Sequence, residues 1–76
     1  MSFYDLIEII KNIKDTKHAK ELLLNQVNTP LIQKAIDFSI LAHKDQKRKS
    51  GEDYVIHPLL VATIVSFFNK DEEVII

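Results

Sequence analysis

The sequence predicts an all-α fold of about four helices plus the start of a fifth. Apolar residues recur every three to four positions along most of the chain, which is the spacing of amphipathic helices. Residues that favour helix N-termini precede these stretches, among them Ser2, Asp15 and Thr29. One segment, residues 46–56, loses the helical period and contains the only glycine, Gly51, in a turn dipeptide. The pattern therefore indicates helices interrupted once by a longer loop.

The composition indicates one small soluble domain. The chain has 76 residues, of which 46% are hydrophobic and 28% charged, and it has no cysteine to form a disulfide. Its start lacks the basic and apolar regions of a signal peptide. Its longest nearly apolar stretch, residues 59–68, is shorter than the ~20 residues that span a bilayer. We expect a cytoplasmic protein without a membrane partner, and the formal net charge of −1 argues against a nucleic-acid partner.

Two helices are predicted before residue 28. The first is expected over residues 3–14, because Ser2 and Asp5 have the spacing of a capping box before an apolar stripe. That stripe consists of Phe3, Leu6, Ile9 or Ile10, and Ile13. The second helix is expected after cap-type residues at 15 and 16, with the apolar residues Ala19, Leu22, Leu23, Leu24 and Val27.

Two longer helices are predicted after residue 28. Thr29 can cap the third helix, and Pro30 at its first position loses no hydrogen bond, so this helix should run to about residue 45. Residues 54–56 are expected to be extended. The fourth helix, residues 58–68, is apolar except for two hydroxyl residues, and helices of this kind are normally buried. Acidic residues at 71–73 then suit the start of a fifth helix.

His57, before the fourth helix, has two open interpretations. It is either a cap or a satisfied buried side chain, or it is a metal ligand. The other histidines are His18, on an exposed face of the second helix, and His43, at the end of the third. Neither gives the close spacing with His57 that identifies a metal site.

The basic run Lys47, Arg48 and Lys49 also has two interpretations. It is either solvated charge beyond a helix C-terminus, where cations interact favourably with the helix dipole, or part of a binding site. In the second case, the planar Arg48 guanidinium stacks on a base or binds phosphate through two hydrogen bonds. Ser50 and the Gly51 backbone would then approach the ligand closely.

The order of these residues resembles the start of the histidine–aspartate (HD) hydrolase domain of the Rel/SpoT family of guanosine tetraphosphate enzymes. That family has a helix ending in Ala-His, a Gln-x-Arg-Lys-Ser-Gly-Glu-Pro-Tyr loop, and His-Pro before an apolar helix with Val-Ala. The chain departs at Asp45, where the family usually has glycine, and at Asp53, where it usually has proline. The matching residues are Ala42, His43, Gln46, Arg48, Lys49, Ser50, Gly51, Glu52, Tyr54, His57, Pro58, Val61 and Ala62.

The resemblance implies the fold and the roles of several residues. It implies the N-terminal helices of an HD-domain-like bundle, with a helical pair at 1–28 and a truncated HD hydrolase part at 29–76. The family activity is manganese-dependent removal of the 3′-pyrophosphate from guanosine tetra- or pentaphosphate. By position, His57 matches the first metal ligand, Arg48 the residue against the guanine base, and Lys49 and Ser50 the same nucleotide-contacting loop. His43 matches a structural position, where its ring is expected to hold the loop by hydrogen bonding.

The resemblance further implies that these residues alone are inactive and bind no manganese. The family's adjacent His-Asp pair and its later aspartate are not in the sequence, and one histidine cannot hold a hydrolytic metal. The chain is therefore either the N-terminal piece of a larger hydrolase or a small regulatory module that binds phosphate-rich nucleotides through residues 46–57. The apolar fourth helix favours the first interpretation.

Self-association is also expected, because a chain of this size is too small to bury all its apolar residues alone. These residues are Leu59, Leu60, Ile64, Phe67, Phe68, Val74, Ile75 and Ile76.

Overall fold

The computed structural model describes residues 2–75, with the backbone alone at 72 and 73. This part of the chain forms five helices, and its only β-pairing is an isolated bridge in the loop, so the all-α prediction is confirmed. None of these helices has the length and apolar character needed to cross a membrane. The helices are α1 (Phe3–Lys11), α2 (Thr16–Gln26), α3 (Pro30–Ala42), α4 (Ile56–Phe68) and the short α5 (Glu72–Ile75).

Local hydrogen bonds set the starts of the first three helices, as the sequence predicts. The Asp5 N–H donates to the Ser2 hydroxyl at 3.1 Å, and the Ser2 N–H donates to the Asp5 carboxylate at 3.2 Å, which completes the capping box. The side chains of Asp15 and Thr29 cap α2 and α3. Each accepts a hydrogen bond from the backbone N–H three residues later, at 2.8 Å and 3.2 Å.

Two helices end earlier than predicted. α1 ends at Lys11 instead of residue 14, because the Asn12 side-chain amide donates to the Glu8 carbonyl at 2.9 Å and closes the last turn. α3 ends at Ala42 instead of residue 45, since Asp45 has the left-handed φ of 70° and a helix cannot continue through that conformation.

The prediction that residues 54–56 are extended is wrong. Val55 has helical dihedral angles (φ −62°, ψ −21°), and Ile56 is already the first residue of α4. The Ile56 N–H donates to the Asp53 carbonyl, and the His57 N–H donates to the Tyr54 carbonyl, both at 3.2 Å. This tight turn allows two consecutive side chains, Val55 and Ile56, to be buried at 3% exposure each.

One hydrophobic core joins α2, α3 and the first half of α4. α4 packs most extensively against α2. Residues from both sides of position 28 therefore share this core, while the division into two segments stays a prediction. The buried core residues are Ala19, Leu23, Val27, Ile32, Ile36, Val55, Ile56 and Leu59.

α4 buries its two hydroxyl side chains and exposes some of its apolar ones. Thr63 and Ser66 are fully buried, and their hydroxyls donate to carbonyls of the same helix at 2.9 Å and 2.7 Å. Because both hydroxyls are satisfied inside α4, their burial leaves no unpaired polar group. Val61 and Phe68 are instead 46% and 70% exposed.

The residues expected to be covered by self-association are only partly exposed. Leu59 is buried within the chain itself, whereas Phe68 and Val74 are exposed. Ile76 lies outside the described residues, and self-association stays a prediction. α3 adds exposed Phe38 and Leu41 to the apolar surface.

We predict that Leu23→Ala lowers the free energy of unfolding by about 2–5 kcal/mol, since it opens a cavity beside α4. The matched control is Leu41→Ala, which removes the same atoms from a side chain that is 70% exposed and should change stability by less than about 0.5 kcal/mol. Urea unfolding followed by circular dichroism measures both. Equal losses in the two variants would contradict the assigned core.

Candidate functional site

The loop between α3 and α4 is a small hairpin. The Tyr54 N–H donates to the Gln46 carbonyl and the Arg48 N–H to the Glu52 carbonyl, both at 2.9 Å. Between these bonds, Lys47 and Asp53 form an isolated antiparallel bridge. The Arg48 carbonyl accepts from the N–H at position 51, at 2.9 Å, and closes the turn. The basic run is therefore built on a hydrogen-bonded backbone.

Two residues of this segment have left-handed backbone angles. Gly51 has φ 91°, a conformation that L side chains rarely adopt. Asp45 has φ 70° just before the hairpin, at the position where the Rel/SpoT pattern usually has glycine. The Cβ of Asp45 therefore introduces strain into this turn, and glycine would avoid that strain because it has no Cβ.

His43 supports the first arm of the hairpin. Its Nδ1 lies 2.7 Å from the Gln46 side-chain oxygen, and its ring centroid lies 5.0 Å from that of Tyr54. The expectation that the His43 ring holds the loop by hydrogen bonding is confirmed. Tyr54 is packed against this ring and remains 44% exposed.

Asp53 supports the second arm through two partners. The Thr16 hydroxyl donates to one of its carboxylate oxygens at 2.9 Å, and the Lys47 ammonium donates to the other. The Lys47 ammonium, followed by the Thr16 hydroxyl, holds the pKa of Asp53 below its ordinary value of 3.8. Asp53 thus connects the hairpin to the first residue of α2.

The four residues predicted as a site lie together. Arg48, Lys49, Ser50 and His57 line one open depression of about 700 Å³, with Lys47 and Tyr54 at its wall. All four are exposed. His57 is in the first turn of α4, seven to nine positions along the chain from the others, and the hairpin brings it beside the basic run. A ligand that touches the cations can therefore also reach the imidazole.

α1 and the turn that follows it also contribute to this site, although the sequence predicted no residue of either there. Lys11 and Lys14 line a second depression of about 220 Å³, which shares Arg48 and His57 with the first. The Lys14 ammonium lies 3.9 Å from the Glu52 carboxylate, so the turn after α1 also faces the hairpin. No signal in the sequence points to this proximity, because it depends on how α1 packs.

The described residues do not by themselves fit a hydrolytic metal. Within residues 2–75 whose side chains are described, no three histidine, cysteine or carboxylate side chains gather as a metal site would require. His18 pairs with Asp15 at 2.6 Å, and His43 is engaged in the loop. His57 supplies one exposed imidazole.

Relatives of this chain are large enzymes. A guanosine-3′,5′-bis(diphosphate) 3′-pyrophosphohydrolase of Aquifex aeolicus is 49% identical over 45 residues, covering 59% of this chain and 6% of the relative. A GTP pyrophosphokinase rsh of Brucella melitensis is 35% identical over 75 residues, covering 99% of this chain and 9% of the relative. A GTP pyrophosphokinase of Myxococcus xanthus is 46% identical over 46 residues, covering 60% and 6%. The chain thus spans less than a tenth of the length of the curated relatives it matches.

These relatives define a class of enzymes that act on guanine nucleotides. The chain belongs to the Rel/SpoT family, as the order of residues in the loop predicts, and the match along 99% of the chain is consistent with the N-terminal HD region of that family. No protein-family model matches the chain, and no solved structure matches it.

We predict that Asp45→Gly raises the free energy of unfolding by about 0.5–1 kcal/mol, because it removes the Cβ from a left-handed turn. The opposite substitution, Gly51→Ala at φ 91°, should lower stability by a similar amount. Urea unfolding measures both. A loss of stability in Asp45→Gly would contradict the strain assigned to this turn.

We predict that stability falls as the pH is lowered below about 4, the range where unfolded aspartates take up protons. The pKa of Asp15 is lowered by the His18 backbone N–H and then by the His18 ring, and that of Asp53 is lowered by Lys47. Because both pKa values are lower in the folded chain, the stabilisation is complete above the unfolded pKa and is lost as the pH falls through the folded pKa.

Urea unfolding between pH 7 and pH 2 measures this dependence. The double variant Asp15→Asn with Asp53→Asn should show a shallower decline below pH 4 than the parent chain. An unchanged decline would mean that other carboxylates cause it.

Proposed function

We propose that this chain forms the nucleotide-contacting part of a guanosine tetraphosphate 3′-pyrophosphohydrolase of the Rel/SpoT type. The observation that carries the proposal is the common depression lined by Arg48, Lys49, Ser50 and His57. The Aquifex aeolicus relative, which bears the name of this reaction, is 49% identical over 45 residues. The geometry and the homology thus support the same function.

The cations of the depression suit a purine nucleotide that carries several phosphates. The Arg48 guanidinium is planar and can stack on the face of the guanine base. Lys49 and Ser50 come next on the turn of the hairpin, where an ammonium and a hydroxyl can donate to phosphate oxygens. Lys47 is already paired with Asp53, so Arg48 and Lys49 are the cations that the hairpin offers to the ligand.

His57 is proposed as one ligand of a manganese ion. A hydrolytic metal site needs about three protein ligands, so the others would come from residues outside the described part of the chain. A metal held there would supply Lewis-acid chemistry toward the phosphoryl group and a bound water of lowered pKa. The contribution of the described residues is to bind and orient the nucleotide beside His57.

We predict that Arg48→Ala weakens binding of guanosine tetraphosphate by about tenfold or more and leaves the metal content unchanged, because it removes a charged contact to the ligand. His57→Ala should instead lose the metal. The test uses the protein encoded by the complete reading frame that contains these residues, with isothermal titration calorimetry for the nucleotide and elemental analysis for the metal.

Lys34→Ala is the matched control. It removes one positive charge from α3 and lies in neither depression of the site, so nucleotide affinity should stay the same. Equal loss of metal in Arg48→Ala and His57→Ala would contradict the two roles. Nucleotide binding with no metal and no hydrolysis would favour the regulatory module instead.

A further inference from the structure

Thr16 and Asp53 form a side-chain contact between distant parts of the chain. They are 37 positions apart, and their hydrogen bond of 2.9 Å is partly buried. Asp53 replaces the proline that the Rel/SpoT pattern usually has here, and a proline could form neither this bond nor the ion pair with Lys47. The contact therefore depends on an aspartate at a position where the resemblance leads us to expect proline.

The backbone pairing of the hairpin connects this contact to Arg48. Asp53 faces Lys47 across the bridge, so the same two residues are joined by backbone pairing and by their side chains. The next pair along the hairpin is Arg48 with Glu52, joined by the 2.9 Å backbone bond. Because the two arms are bonded to each other, a bond that holds Asp53 of the second arm against α2 also holds the first arm, which carries Arg48.

A second link acts on Glu52, the neighbour of Asp53 on the second arm of the hairpin. The Lys14 ammonium, from the turn between α1 and α2, lies 3.9 Å from the Glu52 carboxylate. Glu52 and Asp53 therefore both face the connection from α1 to α2. The exposed Lys14 pair is the weaker of the two links, since solvent screens it, while the Thr16 bond is partly buried.

We propose that Thr16 and Asp53 are positioning residues, which hold the hairpin so that Arg48 and Lys49 are arranged in advance for a nucleotide carrying pyrophosphate. The ligand class rests on the proposed function, while the fixing of the loop does not. A loop that is ordered before binding loses less conformational entropy when the ligand binds, so its affinity is higher. Asp53 also pairs with Lys47, so Arg48 and Lys49 are the hairpin cations that we assign to the ligand.

The test compares Thr16→Val, which keeps the shape but removes the hydroxyl, with Thr16→Ser, which restores the hydroxyl. Heteronuclear NOE values of the amides at Arg48, Lys49 and Gly51 report the order of the loop in the free 76-residue chain. They should fall in Thr16→Val and return to the parent values in Thr16→Ser. Asp53→Ala is a second variant that removes both side-chain partners and should give the larger fall.

Nucleotide binding is measured in the same samples by NMR titration with guanosine tetraphosphate. The dissociation constant should rise about three- to tenfold in Thr16→Val and recover in Thr16→Ser. Asp37→Ala, which breaks the exposed ion pair with Lys20, is the control for loss of a surface carboxylate and should change neither readout.

The outcomes separate this proposal from the proposed function. Unchanged NOE values in both Thr16→Val and Asp53→Ala would overturn the fixing of the loop. Reduced order with an unchanged dissociation constant would overturn the role in binding. A parent chain that does not bind guanosine tetraphosphate, tested also within the protein from the complete reading frame, would overturn the ligand class, and the NOE values would then decide the fixing of the loop alone.

Discussion

The burial of Val55 and Ile56 determines the geometry of the candidate site. Both side chains are 3% exposed and join the core with Leu59. Their neighbours on either side, Tyr54 and His57, are exposed. Because two consecutive side chains must enter the core, the chain has to leave its hairpin in a tight turn and begin α4 at once. The hairpin and His57 are thereby placed on the same surface by the packing of the residues between them.

The hairpin is ordered by contacts with the helices on either side of it in space. His43 at the end of α3 is bonded to the first arm, and Thr16 at the start of α2 is bonded to the second. Surface loops are commonly the most mobile parts of a domain, and binding residues on them need a rigid support. Here the support consists of polar side chains instead of a buried hydrophobic anchor within the loop.

α4 contributes both to the buried interior of the chain and to its exposed apolar surface. Its buried face includes Thr63 and Ser66, whose hydroxyls are bonded within the helix, and its exposed positions include Val61 and Phe68. Phe38 of α3 is exposed as well, so apolar side chains of both helices are accessible to further polypeptide. The matched segments make up 6% and 9% of the length of the two relatives.

The sequence alone determined the features that depend on near neighbours in the chain. The capping box of Ser2, the caps at Asp15 and Thr29, and the helical periods were all predictable, because each involves residues three or four positions apart. The order of motif residues from Ala42 to Ala62 also identified the loop and the Rel/SpoT homologues.

Only the tertiary structure decided what depends on packing. Residues 54–56 form a turn and a helix start instead of an extended segment, since burial of two adjacent side chains outweighs their β preference. The bond from Thr16 to Asp53 and the approach of Lys14 to Glu52 join positions far apart in sequence. No local pattern specifies such contacts, because they exist only once the packing of α2 against α4 has brought both segments together.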